Sequence, residues 1–578
     1  MKKLAYILMV SGLVVSLSGC NKLLDDNRFP LDTQSNSPEF WNNAINVQGE
    51  VNGLYNNYYG YGNAAGRNGT FYFKSLNDDQ IGDVENGGFK MWEYRDVQQS
   101  MTDWNNSYIA IRRCNYIIDN VSKNTMTSVQ KANYIGQAKV NRAREYYNLV
   151  MRFGNVPLTM HVIDPSDDAM LYGPATDRNV VIDSVIADLD YAIANIAAVQ
   201  QPLEFSQDMA KALKVEVCLY EGTYSKYHKN DETRANKFFQ LAVDAATPLM
   251  SKYAFCNDYA SLYNSSYDGE DGTDKLQSNP EIIFMKAYQR SVVANSISKY
   301  TATGTPIDGM SRDAFDSYLF IDGKPLASTS ENTSDEGVMD TVGLCIQPLL
   351  DVRDKRLEAV VDPYVYYAGT NDTTLTYRRN NSDFMTSLSG YGCKKFYNPL
   401  MNGTSATLDG QGYLCAPLFW KSKLALEYAE AKAELGTLTD ADLNMSLNPL
   451  YKRAGLPEQT VASLSAINDP AKNDWNVSSL IWEVRRCRRA ELMYDGYRYW
   501  DLVRWHMLDK LDTTKYPKIN MGANITLTKD VINAAVADGK YFQAFPNNQR
   551  TFEEKYYLYP IGQTQLNQNP NLKQNPGW

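Results

Sequence analysis

Apolar residues recur at helical spacing in paired blocks, and no other feature of this chain constrains its fold as tightly. Val181, Val185, Leu189, Ala192, Ile193 and Ile196 step by about four residues, as do Met209, Leu213, Val217, Tyr220 and Tyr224. Phe238, Ala242, Ala245 and Leu249 give a third such face. A stripe at this spacing is one side of an amphipathic helix, which has to bury that side against another element. Upstream, 104–121 and 128–153 read as another pair, the second stopped by Gly154 with Pro157 beyond. Downstream, 419–435 ends at Gly436 and 441–454 at Gly455. Such pairing predicts tetratricopeptide-like units stacked face to face, imperfect and interrupted rather than a regular array. The expected fold class is therefore mainly α: a helical-repeat scaffold with long irregular loop and short-strand insertions.

The texture changes between about 251 and 415. Stretches such as NSSYDGEDGTDKLQSNP and YAGTNDTTLTYRRNNSDFMTSLSGYG are rich in Gly, Asn, Ser and Thr and read as loops with short strands; 509–556 is similar. Loops of this length on a rigid scaffold are where binding chemistry tends to sit. The organisation expected is a leader over 1–19 followed by one domain over 20–578. A helical half runs to about 250, and irregular insertions with a second helical half follow.

The leader reading rests on MKKLAYILMVSGLVVSLSGC. Lys2 and Lys3 precede an apolar run over 4–17, and Leu17-Ser18-Gly19-Cys20 places small residues before a cysteine. That is the pattern of an export signal cleaved ahead of a lipid-attachment cysteine, too short and too near the terminus for a comfortable membrane span. Cys20 is the expected attachment residue, and its acyl chains would do the anchoring. The acidic pair in Asn21-Lys22-Leu23-Leu24-Asp25-Asp26 is loosely similar to a surface-export signal, or is a solvated tether.

A formal charge of −10 and a pI near 5.1 argue against nucleic acid as a partner. Cysteines 114, 218, 256, 345, 393, 415 and 487 show no CxxC spacing and make a poor disulfide framework. Cys114 and Cys218 fall in helical patterns, as small buried apolar residues do. His161, His228 and His506 stand far apart in the sequence, leaving little material for zinc or for His-activated nucleophiles. GxSxG, GxxxxGK[ST] and HExxH patterns are absent. No cofactor is expected; Asp268-Gly269-Glu270-Asp271-Gly272 is an acidic loop that could take a structural calcium but lacks EF-hand spacing. Paired carboxylates for glycoside hydrolysis are defined by a three-dimensional separation, not by a sequence spacing, so that alternative stays open at this point. The unusual count is aromatic, 41 Tyr, 9 Trp and 19 Phe beside abundant Asn. Most fill helix–helix core, but rings with a polar handle also suit stacking against sugars.

One family resemblance runs through most of this. AKVNRAREYYNLVMRFGNVPL (138–158), MAKALKVEVCLYEGTY (209–224), DVRDKRLEAVVDP (351–363), FWKSKLALEYAEAKAELG (419–436) and LNPLYKRAGLP (447–457) occur in the order found in the SusD/RagB family. Glu491-Leu492, Asp495-Gly496, Arg498, Asp501-Leu502 and Arg504-Trp505, then Gln574-Asn575-Pro576-Gly577, are similar to its C-terminal signature. Cys487 and Lys421 depart from it, standing where Glu and Arg are usual. The charged motifs read as fold signatures: Arg488 with Glu491, Asp495 with Arg498 and Asp501 with Arg504 sit three apart and can pair along one helix. The resemblance implies a surface-exposed outer-membrane nutrient-binding lipoprotein that is not an enzyme. It would capture oligosaccharide and act as the lid of a SusC-like TonB-dependent barrel. A surface glycan hydrolase and a helical-repeat assembly scaffold are the alternatives from other classes.

In such proteins ligand contacts come from loops between the first helices and from the irregular middle. The matching stretches here are GLYNNYYGYGNAAGRNG (53–69), DVENGGFKMWEY (83–94) and about 300–320. Tyr59, Tyr61, Asn86, Phe89 and Trp92 are the expected contacts, with Arg67, Tyr300 and Tyr318 behind them. Trp104, at the start of a helical pattern, is expected in the core.

Overall fold

The computed structural model describes residues 35, 37–82, 90–198, 202–267, 269, 275–302, 308–368, 387–532 and 534–578. Cys20, Asn86 and Phe89 lie outside them, and so does the acidic loop except for Gly269.

The periodic segments are helices: α1 (Thr102–Lys123), α2 (Ser128–Phe153), α3 (Arg178–Asn195), α4 (Gln207–Lys229) and α5 (Glu232–Lys252). Local chemistry sets their ends. Thr127 and Gln130 form a reciprocal capping box at the start of α2, and Gly154 takes φ 71° just past its end. The helices pack in succession, α1 on α2, α2 on α3, α3 on α4 and α4 on α5. The order then jumps along the chain: α5 packs on α6 (Lys421–Glu434), and α6 on α7 (Ser479–Glu491). The irregular middle is thus inserted between two neighbouring helices of the stack.

Two apolar cores result, and α6 lies between them. Leu424, Ala425, Tyr428 and Ala431 face the helical core, whereas Leu426, Ala429 and Ala433 face the core of the irregular half. Every α6 residue except Lys432 is therefore buried, charged ones included. A buried charge has to be paired. Lys423 reaches Glu216 at 2.8 Å and Glu427 at 2.6 Å, and Glu434 meets Arg485 at 3.0 Å. Just ahead of α6, strand β2 (Ala416–Trp420) pairs antiparallel with β1 (Ile282–Lys286), and the pair feeds both cores, Phe284 and Phe419 the helical one and Met285 and Trp420 the other. The other strands are short, as the loop-rich texture predicts.

Three sequence expectations need correction. Phe419 belongs to β2, so the helix begins two residues later than its apolar spacing implies. The 441–454 segment is two short helices, Asp440–Met445 and Leu447–Arg453, broken at Ser446. Pro449 explains the break, because its ring cannot follow a continuous helical turn. The signature region is likewise two helices, α7 and α8 (Arg498–Arg504), separated by Tyr494 and Gly496 with φ of 67° and 82°.

The expected pairing along one helix fails for the same reason. Only Asp501 and Arg504 pair, at 2.9 Å. Arg488 turns to Asp501 at 2.8 Å, Arg498 grips Asp78 with two bonds of 2.7 Å, and Glu491 is held by Arg356 and Arg453. Each of these signature carboxylates is held by whichever Arg or Lys the fold brings to it, Asp495 by Lys395. At the departure noted above, the Cys487 thiol sits 3.6 Å from Arg356, which takes its charge partners from Asp354 and Glu491 instead. All seven cysteines from Cys114 onward are buried and unbridged. The C-terminal Gln-Asn-Pro-Gly motif is a clasp: Asn575 donates to the carbonyls of Phe153 (3.1 Å) and Tyr559 (2.8 Å), closing the tail over the end of α2.

His228 and His506, distant in sequence, are neighbours in space, with ring centroids 4.4 Å apart. Burial pushes the His228 imidazole down to about 3, and its Nε2 lies 2.6 Å from the Val503 carbonyl. Among the described residues no group of three or more His, Cys, Asp or Glu is placed to hold a metal, and no helix is long and apolar enough to cross a membrane.

Candidate binding cleft and its aromatic rim

A cleft of about 930 Å³ opens between the helical stack and the irregular half. Its walls come from α2 (Arg144, Tyr147, Asn148, Arg152), α4 (Glu216, Tyr220), the α7–α8 corner (Arg488, Tyr497, Trp500) and the loop over 57–76. Gly496 makes the corner possible: a Cβ there would lie 2.2 Å from the Thr70 carbonyl, so only glycine lets the two chains meet.

Deep in the cleft Arg144 lies over the ring of Tyr58 at 4.2 Å, and Arg152 over Trp500 at 5.1 Å. The Tyr58 hydroxyl is buried without a hydrogen-bond partner among the described residues. The carboxylates in the walls are all occupied. Asp495 illustrates this: burial pushes its pKa up to about 6, yet Lys395 (2.6 Å) and the Tyr263 hydroxyl (3.0 Å) take its two oxygens.

At the exposed edge Tyr59, Arg67, Phe73 and Tyr300 form a rim. Tyr59 is 41% exposed, and its backbone carbonyl is fixed by the Tyr288 hydroxyl at 2.6 Å. Arg67 rides on a turn held by Asn68, whose side chain accepts from the Asn63 N–H (2.8 Å) and donates to the Asn63 and Ala65 carbonyls. Tyr300 sits on the short helix Ile297–Ala302. Asp409 joins the two: it accepts from the Gly66 N–H (3.1 Å) and the Ser296 hydroxyl (2.6 Å), and pairs with Lys299 at 3.4 Å. Those bonds, from Ser296 first and Gly66 second, hold its carboxyl below the usual carboxylate range. The outcome is Arg67 over the Tyr300 ring at 5.1 Å, with Phe73 packed edge-on at 5.6 Å. Half-buried rings beside a guanidinium form the kind of surface that stacks on a flat ligand face and hydrogen-bonds its edge.

Three expected contacts are core residues instead. Tyr61 is fully buried among Phe71, Phe396 and Tyr288, with its hydroxyl on the Tyr263 carbonyl at 2.9 Å. Tyr318 is fully buried and donates to the Ala490 carbonyl at 3.3 Å. Trp92 stacks on Tyr556 at 4.3 Å and donates to the Thr551 carbonyl at 2.7 Å. Each ring's polar atom is already used inside the protein, so none is available to a ligand. Trp104 is buried as expected. Phe73, Lys74, Tyr497 and Trp500 line the cleft without having been singled out. Phe73 and Lys74 lie four and five residues beyond the Gly-rich stretch, a signal that could have found them, whereas Tyr497 and Trp500 sit inside a signature that reads as structural.

A family described as "SusD family" matches residues 280–578, and one described as "Starch-binding associating with outer membrane" matches 30–215. The chain belongs to the SusD family. SusD-like protein P38 of Formosa agariphila is 24% identical over 413 residues, covering 69% of this chain and 71% of that protein. A SusD-like carbohydrate binding protein from Bacteroides fragilis superimposes with a TM-score of 0.69 at 20% identity, covering 92% of this chain and all of the other. A laminarin binding SusD-like protein gives a TM-score of 0.57 at 19% identity, covering 93% and 99%. At these identities the solved structures establish the fold, mainly helical and tetratricopeptide-like.

Proposed function

We propose that this protein is a surface-exposed outer-membrane lipoprotein that binds oligosaccharide and delivers it, as a lid, to a SusC-like TonB-dependent transporter. The observation that carries the binding reading is the rim: Tyr59, Arg67 and Phe73 line a large cleft, and Tyr300 adjoins them beneath Arg67 and edge-on to Phe73. Family membership and the carbohydrate-binding relatives support it. Catalysis is not part of the reading, because the wall carboxylates are engaged by cations and hydroxyls rather than held free as an acid and base.

The ligand is first found on a glycan array. Tyr300→Ala is then expected to lower affinity by about 1–2 kcal/mol, roughly 5- to 30-fold, with little change in thermal stability. Unchanged affinity would place the site elsewhere. Release of shortened saccharide by the purified protein would favour the hydrolase alternative. In the same reading Cys20 carries the acyl anchor, so Cys20→Ala should move the protein from the membrane fraction to the soluble one. Retention of that variant in membranes after a carbonate wash would refute the anchor assignment.

A further inference from the structure

The charges around the cleft balance everywhere except at the rim. Among the described residues seven carboxylates line it, and each has a cation within ion-pair distance: Glu93 with Lys90, Asp103 with Arg152, Glu145 with Arg144, Glu216 and Glu427 with Lys423, Asp495 with Lys395, and Asp501 with Arg488 and Arg504. The lining cations Lys90, Arg144, Arg152, Arg488 and Arg504 are therefore neutralised from within. Arg67 and Lys74 are the exceptions among the described residues. Neither has a carboxylate partner, Lys74 is exposed, and the Arg67 guanidinium touches only the Tyr300 ring.

Two uncompensated cations at one mouth are unexpected on a protein with a formal charge of −10. Neither contributes an ion pair to the fold. A guanidinium already stacked on an aromatic face is pre-oriented, and its remaining N–H donors fit a carboxylate or sulfate in a two-pronged contact. A neutral sugar would leave both cations without a counter-charge when it covers them, at a desolvation cost; an anionic one would not.

We infer that the rim selects an acidic glycan, one bearing carboxylate or sulfate groups, with Arg67 and Lys74 reading the charge, Tyr300 supporting the Arg67 guanidinium and Tyr59 stacking on the ring. This rests on the glycan-binding reading above and narrows it.

The test uses matched pairs of oligosaccharides on the protein beginning after Cys20: oligogalacturonate against its carboxyl-reduced form, and a sulfated galactan oligosaccharide against its desulfated form. The expected result is binding to the acidic member of at least one pair, at least tenfold tighter than to its neutral partner and weakening as salt rises. The responding pair tells uronate from sulfate. Arg67→Ala and Lys74→Gln should each erase most of the difference, the second at an exposed position where folding is not at stake. Equal affinity for acidic and neutral members, or a preference that survives both substitutions, overturns the acidic assignment and leaves glycan binding standing. Failure to bind any member of either pair, or of a broad neutral panel, overturns both.

Discussion

Arg504→Ala is expected to cost about 3–5 kcal/mol of folding stability near neutral pH. Arg504 grips Glu430 through two bonds of 2.7 Å and Asp501 at 2.9 Å, in a place where Glu430 is fully buried. Burial alone would push the Glu430 carboxyl up, but Arg504 above all outweighs it and the pKa ends below the ordinary value. With the folded pKa below the unfolded one, this contribution is present above the unfolded carboxylate range near 4.3 and fades as pH falls through the folded value. Removing Arg504 leaves a buried carboxylate with only the Trp505 N–H (2.7 Å) and a distant Arg485 (3.8 Å). Its pKa then rises above the unfolded value, so the variant's deficit should be largest at pH 7 and shrink toward pH 4. Urea unfolding at the two pH values reads this. A deficit under about 1 kcal/mol at pH 7 would mean that the charge network between the cores is not what holds α6.

Trp92→Ala should be comparably severe, also about 3–5 kcal/mol. The indole is nearly parallel to Tyr556 at 4.3 Å, packs near Phe552 at 6.1 Å and gives its N–H to the Thr551 carbonyl. Truncation opens a cavity and strands a carbonyl, and both effects act in the same direction. The protein that remains folded should bind ligand with unchanged affinity. A variant that melts normally and binds weakly would return Trp92 to the binding surface.

Why Trp92 misleads as a sequence position is instructive. It stands in Gly- and Asn-rich surroundings that read as surface, while the groups that bury it, Tyr556 and Thr551, come from near the C-terminus. Tyr61 and Tyr318 mislead in the same way, through Phe396 and Ala490. Local texture reports exposure only when the partners are local too. The helices were legible because a 3.6-residue stripe is local, and their ends were legible where caps such as Thr127 and Gly154 are local as well. Pro449 carried a readable break that the apolar spacing of 441–454 masked.

The site lies between these cases. Arg67 and Tyr300 could each be named from ring content and loop context. That they form one surface depends on Asp409, which binds both segments and belongs to neither. The charge logic of the signature was half legible: buried acids with Arg neighbours in sequence predict ion pairs, but which Arg meets which acid is settled by the break between α7 and α8.

One paired measurement tests the division of the aromatic residues between core and rim. Thermal melting and calorimetric titration with the array-identified glycan are run side by side on Tyr300→Ala and Trp92→Ala. The predicted result is a crossover: Tyr300→Ala keeps its melting temperature and loses affinity, whereas Trp92→Ala loses melting temperature and keeps affinity. If Tyr300→Ala binds as tightly as the parent protein while melting early, Tyr300 belongs to the core and the rim is not the binding site.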